Sequence, residues 1–274
     1  MIMPKMKKNN SKNDYFLEVG NFVIKIELFP TENIIIKNLL RREIEKVWGG
    51  GKFLSKRAKA SDWIIRIFPA EKGTKIIHQK FSGESYILTY KRNGRKFTTF
   101  YHVSFYSLQM FVKEILDSLL ANDGFILHAS SVIDKMGVAH VFLAPREGGK
   151  STIGKLLGKR GFSRLSDDNL ITRKLKSAWN FFSPPFVEKD LLPLKKEAEK
   201  ARIYFLKKSK KAQLTPLKNR KKILKKVLQN VWVNRGVFEK AKLKNIMDFA
   251  SNNNFYLLKS TLNVNEMQKI INEN

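Results

Sequence analysis

The run Val138-Ala139-His140-Val141-Phe142-Leu143, followed at once by Ala144-Pro145-Arg146-Glu147-Gly148-Gly149-Lys150-Ser151-Thr152, decides how the rest of the chain is read. Its first six residues are almost wholly apolar, as expected of a strand buried on both faces inside a parallel sheet. The next nine keep the second half of the phosphate-loop pattern G-x-x-x-x-G-K-[ST], with Ala144 where the first glycine belongs. Gly148 and Gly149 let backbone N–H groups turn toward phosphate oxygens, and the helix that follows aims its N-terminus at the same anion. Lys150 offers a mobile positive charge to the outer phosphates, and Ser151 offers a hydroxyl to a magnesium ion. Ala144 opens the loop rather than wrapping the phosphates, so its methyl fits wherever φ stays negative. The expected nucleotide cradle is therefore Ala144, Arg146, Glu147, Gly148, Gly149, Lys150, Ser151 and Thr152.

Both flanks reinforce this pattern. Ile153, Leu156 and Leu157 recur at helical spacing after Lys150, and Gly161 stands where a helix is expected to close. The chain returns through Phe162-Ser163-Arg164-Leu165 to Ser166-Asp167-Asp168. In a right-handed strand-helix-strand unit the two strands are parallel, so Asp167 and Asp168 are expected beside the loop. A metal ligand and a proton acceptor would be useful there. Upstream, Phe125 to Ile133 reads as one strand, and Asp134-Lys135-Met136-Gly137 as a tight turn. Antiparallel pairing about that turn sets His128 opposite Leu143 or Ala144, at the phosphate end.

Leu127-His128-Ala129-Ser130-Ser131-Val132, a turn, Val141-Phe142-Leu143-Ala144, Gly149-Lys150-Ser151-Thr152 and Leu165-Ser166-Asp167-Asp168 follow one another in an order that resembles the catalytic domain of HPr kinase/phosphorylase. The match is most similar to the shorter relatives of that enzyme found with peptide-modification systems. The resemblance implies an HPr kinase/PEP carboxykinase-like P-loop fold, ATP and Mg2+ as cofactors, and a serine or similar hydroxyl of a peptide or small protein as phosphoryl acceptor. It also implies that a homo-oligomer is open to the chain. Carried over residue by residue, it makes Asp167 the acceptor of the substrate proton and Asp168 a metal ligand with Ser151, with the reverse division left open. Lys150 would stabilise charge on the transferred group, and His128 would orient the acceptor or a phosphate oxygen. Two departures stand out: Ala144 replaces the usual glycine, and Thr152 occupies the place where the phosphorylase carries an acid. The second argues against HPr as the substrate.

With 274 residues, 43% of them hydrophobic, the chain is long enough for one large or two modest domains. It has no cysteine, which excludes disulfides and thiolate metal sites, and its four histidines argue against a multi-histidine metal centre. The formal net charge of +29 points to a polyanionic partner such as a nucleotide, nucleic acid, an anionic membrane or an acidic peptide. Lysine spread along the whole chain beside abundant isoleucine and asparagine is also what a compositional bias would produce.

Residues 1–14 read as a basic, disordered tail with no apolar core of signal-peptide length, and no run reaches membrane-spanning length, so a cytoplasmic location is expected. Residues 15–106 read as a β-rich α+β region, with a helix over Asn33 to Trp48 ended by Gly49-Gly50-Gly51. Residues 107–274 read as the P-loop kinase-like domain, opened by a helix over Ser107 to Leu120. Asn180 to Phe186 reads as a proline-marked loop whose aromatic rings either stack on a base or close the core. The most basic tract, 207–226, is a candidate contact for nucleic acid or an anionic surface, or else a solvated helix face.

The expected fold class is thus α/β, a P-loop core with a mixed sheet beside a β-rich α+β N-terminal region. The expected function is that of an ATP-dependent phosphotransferase, a serine kinase of the HPr kinase-like type. Two alternatives stand beside it: a catalytically inactive nucleotide-binding regulator, and a basic protein that binds nucleic acid or a membrane surface.

Overall fold

The computed structural model describes residues 14–32, 34–55, 57, 59–69, 78–81, 84–87, 90–100, 103–189, 191–233 and 239–272. The chain divides into two compact units, Met1–Met110 and Phe111–Asn274. The tail expected over 1–14 lies, but for Asp14, outside the described residues.

The first unit contains β1 (Asp14–Val19), β2 (Phe22–Leu28), α1 (Ile34–Glu43) running into a π-helical turn at Ile44–Gly49, β3 (Trp63–Phe68), β4 (His78–Phe81), β5 (Glu84–Ile87), β6 (Tyr90–Asn93) and β7 (Lys96–Phe100). Its main sheet has the order β1-β2-β3-β7-β6, and β4 pairs with β5 alone. Strict alternation drives this sheet: Phe22, Ile24, Ile26 and Leu28 are buried while Val23, Lys25 and Glu27 stand half-buried on the other face. Strands β2 and β3 are parallel, a pairing that needs a crossover, and α1 with its π-helical turn supplies it. The glycines close the helix, Gly50 N–H donating to Glu45 O and Gly51 N–H to Val47 O.

α2 (Phe105–Leu120) runs across the division between the units. The second unit continues through β8 (Gly124–Leu127), β9 (Ser130–Ile133), β10 (Val138–Leu143), α3 (Lys150–Gly158), β11 (Ser163–Ser166), β12 (Leu170–Leu175), β13 (Ala178–Phe182), β14 (Glu197–Ala198) and β15 (Lys200–Lys208). It ends with β16 (Gln213–Pro216), α4 (Arg220–Leu228), α5 (Lys240–Asn252), β17 (Phe255–Ser260) and α6 (Val264–Asn272). A six-stranded mixed sheet has the order β11-β9-β10-β15-β17-β16, and a second, antiparallel sheet the order β14-β13-β12-β8.

Strand β10 is central because both of its faces are apolar. Ala139, Val141 and Leu143 pack into one cluster with Phe125 and Phe181 of the smaller sheet, Ile223 of α4 and Phe249 of α5. Phe142 packs into the other, with Ile153 and Leu157 of α3 and Met267 and Ile271 of α6. Each fully buried side chain of this size contributes about 1.5–3 kcal/mol, so the strand's position is strongly held. The 134–137 turn is fixed locally: Asp134 Oδ1 accepts the Met136 and Val138 N–H groups at 2.9 Å each.

Two sequence expectations change. The run Phe125 to Ile133 is not one strand: β8 pairs antiparallel with β12 in the smaller sheet, and β9 pairs antiparallel with β10 in the larger. The chain changes sheets at His128 and Ala129, where the His128 N–H donates to Asn230 O at 2.6 Å. Local pattern cannot reveal such a crossing, because residues on both sides of it are equally buried. Likewise, the run read as a loop from Asn180 keeps strand pairing through Phe182, and Phe181 is fully buried, edge-on to Phe249. That ring closes the core. No helix among the described residues is long and apolar enough to cross a membrane.

Candidate functional site

β11 runs parallel to β10 with β9 between them, antiparallel to both. The loop after β10 and the residues after β11 therefore leave the sheet at the same edge, and His128 enters β9 at that edge too.

The loop after β10 is built by close backbone contacts. Gly148 N–H donates to Pro145 O at 3.0 Å, and a Cβ on Gly148 would lie 2.5 Å from the Ala144 methyl and 2.9 Å from Pro145 O. Only glycine fits. Gly149 follows with φ +92°, a left-handed angle that costs other residues energy, and caps α3. Ala144 is buried and is not among the residues with positive φ, so its methyl is tolerated. Lys150 is buried, and its ammonium donates to Ala144 O at 2.7 Å and Pro145 O at 3.3 Å. Burial lowers its pKa, with Asp168 and Asp167 acting in the opposite sense. The first N–H groups of α3, at Lys150, Ser151 and Thr152, have no partner inside the helix by its geometry, an arrangement that suits an anion. Arg146, Glu147 and Thr152 are exposed at the rim.

Asp167 and Asp168 are adjacent in sequence but have different surroundings. Asp167 is fully buried, its Oδ1 3.1 Å from Arg164 Nη2 and 3.4 Å from the Ser130 hydroxyl. Its Oδ2 has no hydrogen bond among the described residues, the Lys189 ammonium lying 3.9 Å away. Asp168 is half-exposed, and its Oδ1 is 3.1 Å from His128 Nδ1. Burial lowers the His128 pKa, Lys150 and Lys113 push the same way, and Asp168 opposes them. A neutral imidazole in this position donates its Nδ1 proton to Asp168 and keeps Nε2 as an acceptor.

The sequence-expected residues thus meet at one edge, in a pattern of their own. His128 pairs with Asp168, whereas the Ser151 hydroxyl accepts from Lys189 at 3.0 Å, and Lys189 in turn neighbours Asp167. Among the described residues no group of three or more His, Asp or Glu side chains forms a metal cage. A magnesium ion that binds through one or two protein oxygens together with phosphates and water needs no such cage. No family model matches the chain, and no curated protein matches it either.

Four further participants join these residues. Glu188 is buried and accepts the backbone N–H of Asp167 at 2.6 Å, of Asp168 at 3.1 Å and of Asn169 at 2.6 Å, and the Asn169 side-chain amide at 2.8 Å. Burial pushes it up to about 7, against donors that favour the charged form. Lys189 follows it with φ 49°, left-handed for a non-glycine residue. Arg164, in β11, faces Asp167 from three residues upstream. Lys113, on α2, holds its ammonium 4.7 Å from the Trp232 ring centre, and burial pushes it down to about 8 although Asp168 and Glu188 favour its charge. Only Glu188 carried a signal: a carboxylate directly after the apolar run Pro184-Pro185-Phe186-Val187.

The basic tract divides between elements. In α4, Ile223 and Val227 are buried whereas Lys221, Lys222 and Lys225 are exposed, as on an ordinary solvated helix face. Its Asn219 cap accepts the Lys222 N–H at 3.0 Å.

Proposed function

We propose that this protein is an ATP- and magnesium-dependent phosphotransferase that acts on a hydroxyl group of a peptide or small protein. The observation that carries this reading is the convergence, at one sheet edge, of a glycine loop closed by Lys150 with a His128–Asp168 pair and a buried Asp167 that has an oxygen to spare.

The residues present suit the two cofactors. The loop backbone at 148–152 and the Lys150 ammonium would hold the phosphates, and Ser151 with Asp167 Oδ2 would hold the cation. Bound there, ATP with magnesium supplies the transferable phosphoryl group and part of its charge neutralisation. The chain's own residues do the rest. Lys150, buried and fixed by two carbonyls, presents a preorganised positive charge that needs little rearrangement. His128 takes the acceptor hydroxyl's proton at Nε2, while Asp168 holds the tautomer through Nδ1 and stabilises the imidazolium that forms. The geometry therefore supports the reverse division of the two carboxylates: Asp168 serves the proton and Asp167 the metal side. Asp167 is fully buried, which suits a ligand held in place better than a base a substrate must reach.

Calorimetric titration with ATP and magnesium tests the reading. Wild type should bind saturably, Lys150→Ala should lose binding, and His128→Ala should keep binding but lose transfer to any accepting peptide. Absence of binding by the folded wild type would refute the reading. Salt-sensitive polyanion binding indifferent to Lys150→Ala would instead favour the basic surface as the working part.

A further inference from the structure

The segment after β13 reaches the site from outside the strand-loop-helix unit, with Glu188 as its foot. That carboxylate is fastened to three consecutive peptide N–H groups of residues 167–169, and Glu188 and Leu191 exchange two backbone hydrogen bonds, at 2.7 and 3.1 Å, that close a tight turn. Lys189 lies within that turn. Its backbone is held in the left-handed region while its side chain is 60% exposed. The foot is buried and fastened, and the tip is exposed.

The tip reaches a particular point. The Lys189 ammonium donates to Ser151 Oγ at 3.0 Å and stands 3.9 Å from Asp167 Oδ2, the buried oxygen with no hydrogen bond. A single positive charge therefore bridges the two oxygens to which the proposed function gives the divalent cation. An ammonium and a divalent cation cannot share them. Lys150 differs: it is buried and engaged with the loop's own carbonyls, so it is no competitor for that place.

Resting on the proposed function, we infer that Lys189 is a built-in counter-cation that competes with magnesium for Ser151 and Asp167 and sets the metal concentration at which the nucleotide site fills. The pair is loose, its lysine end 60% exposed and its ammonium 3.9 Å from Asp167 Oδ2, so a divalent cation with its nucleotide can displace the arm, while the Glu188 foot keeps the arm close enough to return. The competition raises the magnesium requirement of the site without altering its ligands.

The experiment compares wild type with Lys189→Gln, which removes the charge and keeps a polar side chain, and with Lys159→Gln, an exposed control that loses the same charge elsewhere. ATP binding is measured by calorimetry over a range of magnesium concentrations, and Mn2+ binding without nucleotide by electron paramagnetic resonance. The expected result is a magnesium midpoint lowered about fivefold or more in Lys189→Gln and unmoved in the control, as loss of one neighbouring unit charge predicts. An unchanged or raised midpoint, or an equal shift in the control, would overturn the inference. If wild type binds no ATP at any magnesium concentration, the proposed function fails separately, and the Mn2+ arm still decides: tighter Mn2+ binding by Lys189→Gln upholds the competition, and equal binding ends it.

Discussion

The loop 144–149 and the turn at 188–191 serve the same few residues, yet they are built by opposite means. The first is local: the hydrogen bonds that shape it, from Gly148 N–H on Pro145 O to the Lys150 ammonium on Ala144 O, join residues at most six apart. The second is long-range, held by a carboxylate about twenty residues from the peptide groups it fastens. A local device writes its geometry into residue types, glycine above all, while a long-range one needs only a single acceptor and can hide in any acidic residue. The contrast also divides their effects, since the loop is built to touch the proposed ligand itself whereas the turn acts on the residues around it, through the backbone of 167–169 and through Lys189 on Ser151.

The largest expected effect breaks the local half alone. Gly148→Val sets a branched side chain against Ala144 and Pro145 and should weaken ATP binding by about 100-fold, with a loss of stability of about 1–3 kcal/mol from the strained loop. Equal ATP affinity in calorimetry would show that the loop is not the binding element. Next comes the long-range half. Glu188→Ala leaves three N–H groups, two of them buried, without their acceptor and should destabilise the second unit by about 3 kcal/mol in urea unfolding. A loss below about 0.5 kcal/mol would mean that the turn is not fastened as described.

A pH series sharpens the same point. The folded-state pKa of Glu188 is raised, to about 7 from 4.5, so the native protein holds an extra proton between those values. Stability from this group is present at low pH and falls as pH rises through that window, then levels off. Glu188→Gln carries no such proton. Its stability relative to wild type should therefore grow between about pH 4.5 and 7, by on the order of 1–3 kcal/mol, and stay constant above. The groups facing this carboxyl, the peptides of 167–169, the Asn169 amide and the more distant Lys113 ammonium, are the same in both proteins. A difference independent of pH would show that Glu188 is ionised throughout.

The smallest effect concerns the position where the phosphate-loop pattern departs. Ala144→Gly restores the pattern but adds backbone freedom and removes a buried methyl, so stability should fall by about 0.5–1 kcal/mol. ATP affinity should stay within about threefold, because the alanine already sits outside the left-handed region. A large gain in affinity would instead make Ala144 a true defect of the loop.

Residues 138–168 by themselves determined a buried strand, a glycine turn, a helix and two aspartates at a common edge, because each rests on short-range rules of periodicity and backbone freedom. The apolar pattern of β10 predicted burial on both faces, and its two flanking clusters supply it. Tertiary structure alone decided three things: that the chain changes sheets at His128, that Asp167 and Asp168 face different partners, and that Glu188 and Lys189 arrive from a distant turn. Neighbouring residues have nearly the same sequence environment, so which one is buried depends on what packs over each. In this protein that is Arg164 and Lys189 around Asp167, and His128 against Asp168. Contacts made across twenty or more residues are set by how strands and turns pack, and no local pattern encodes them.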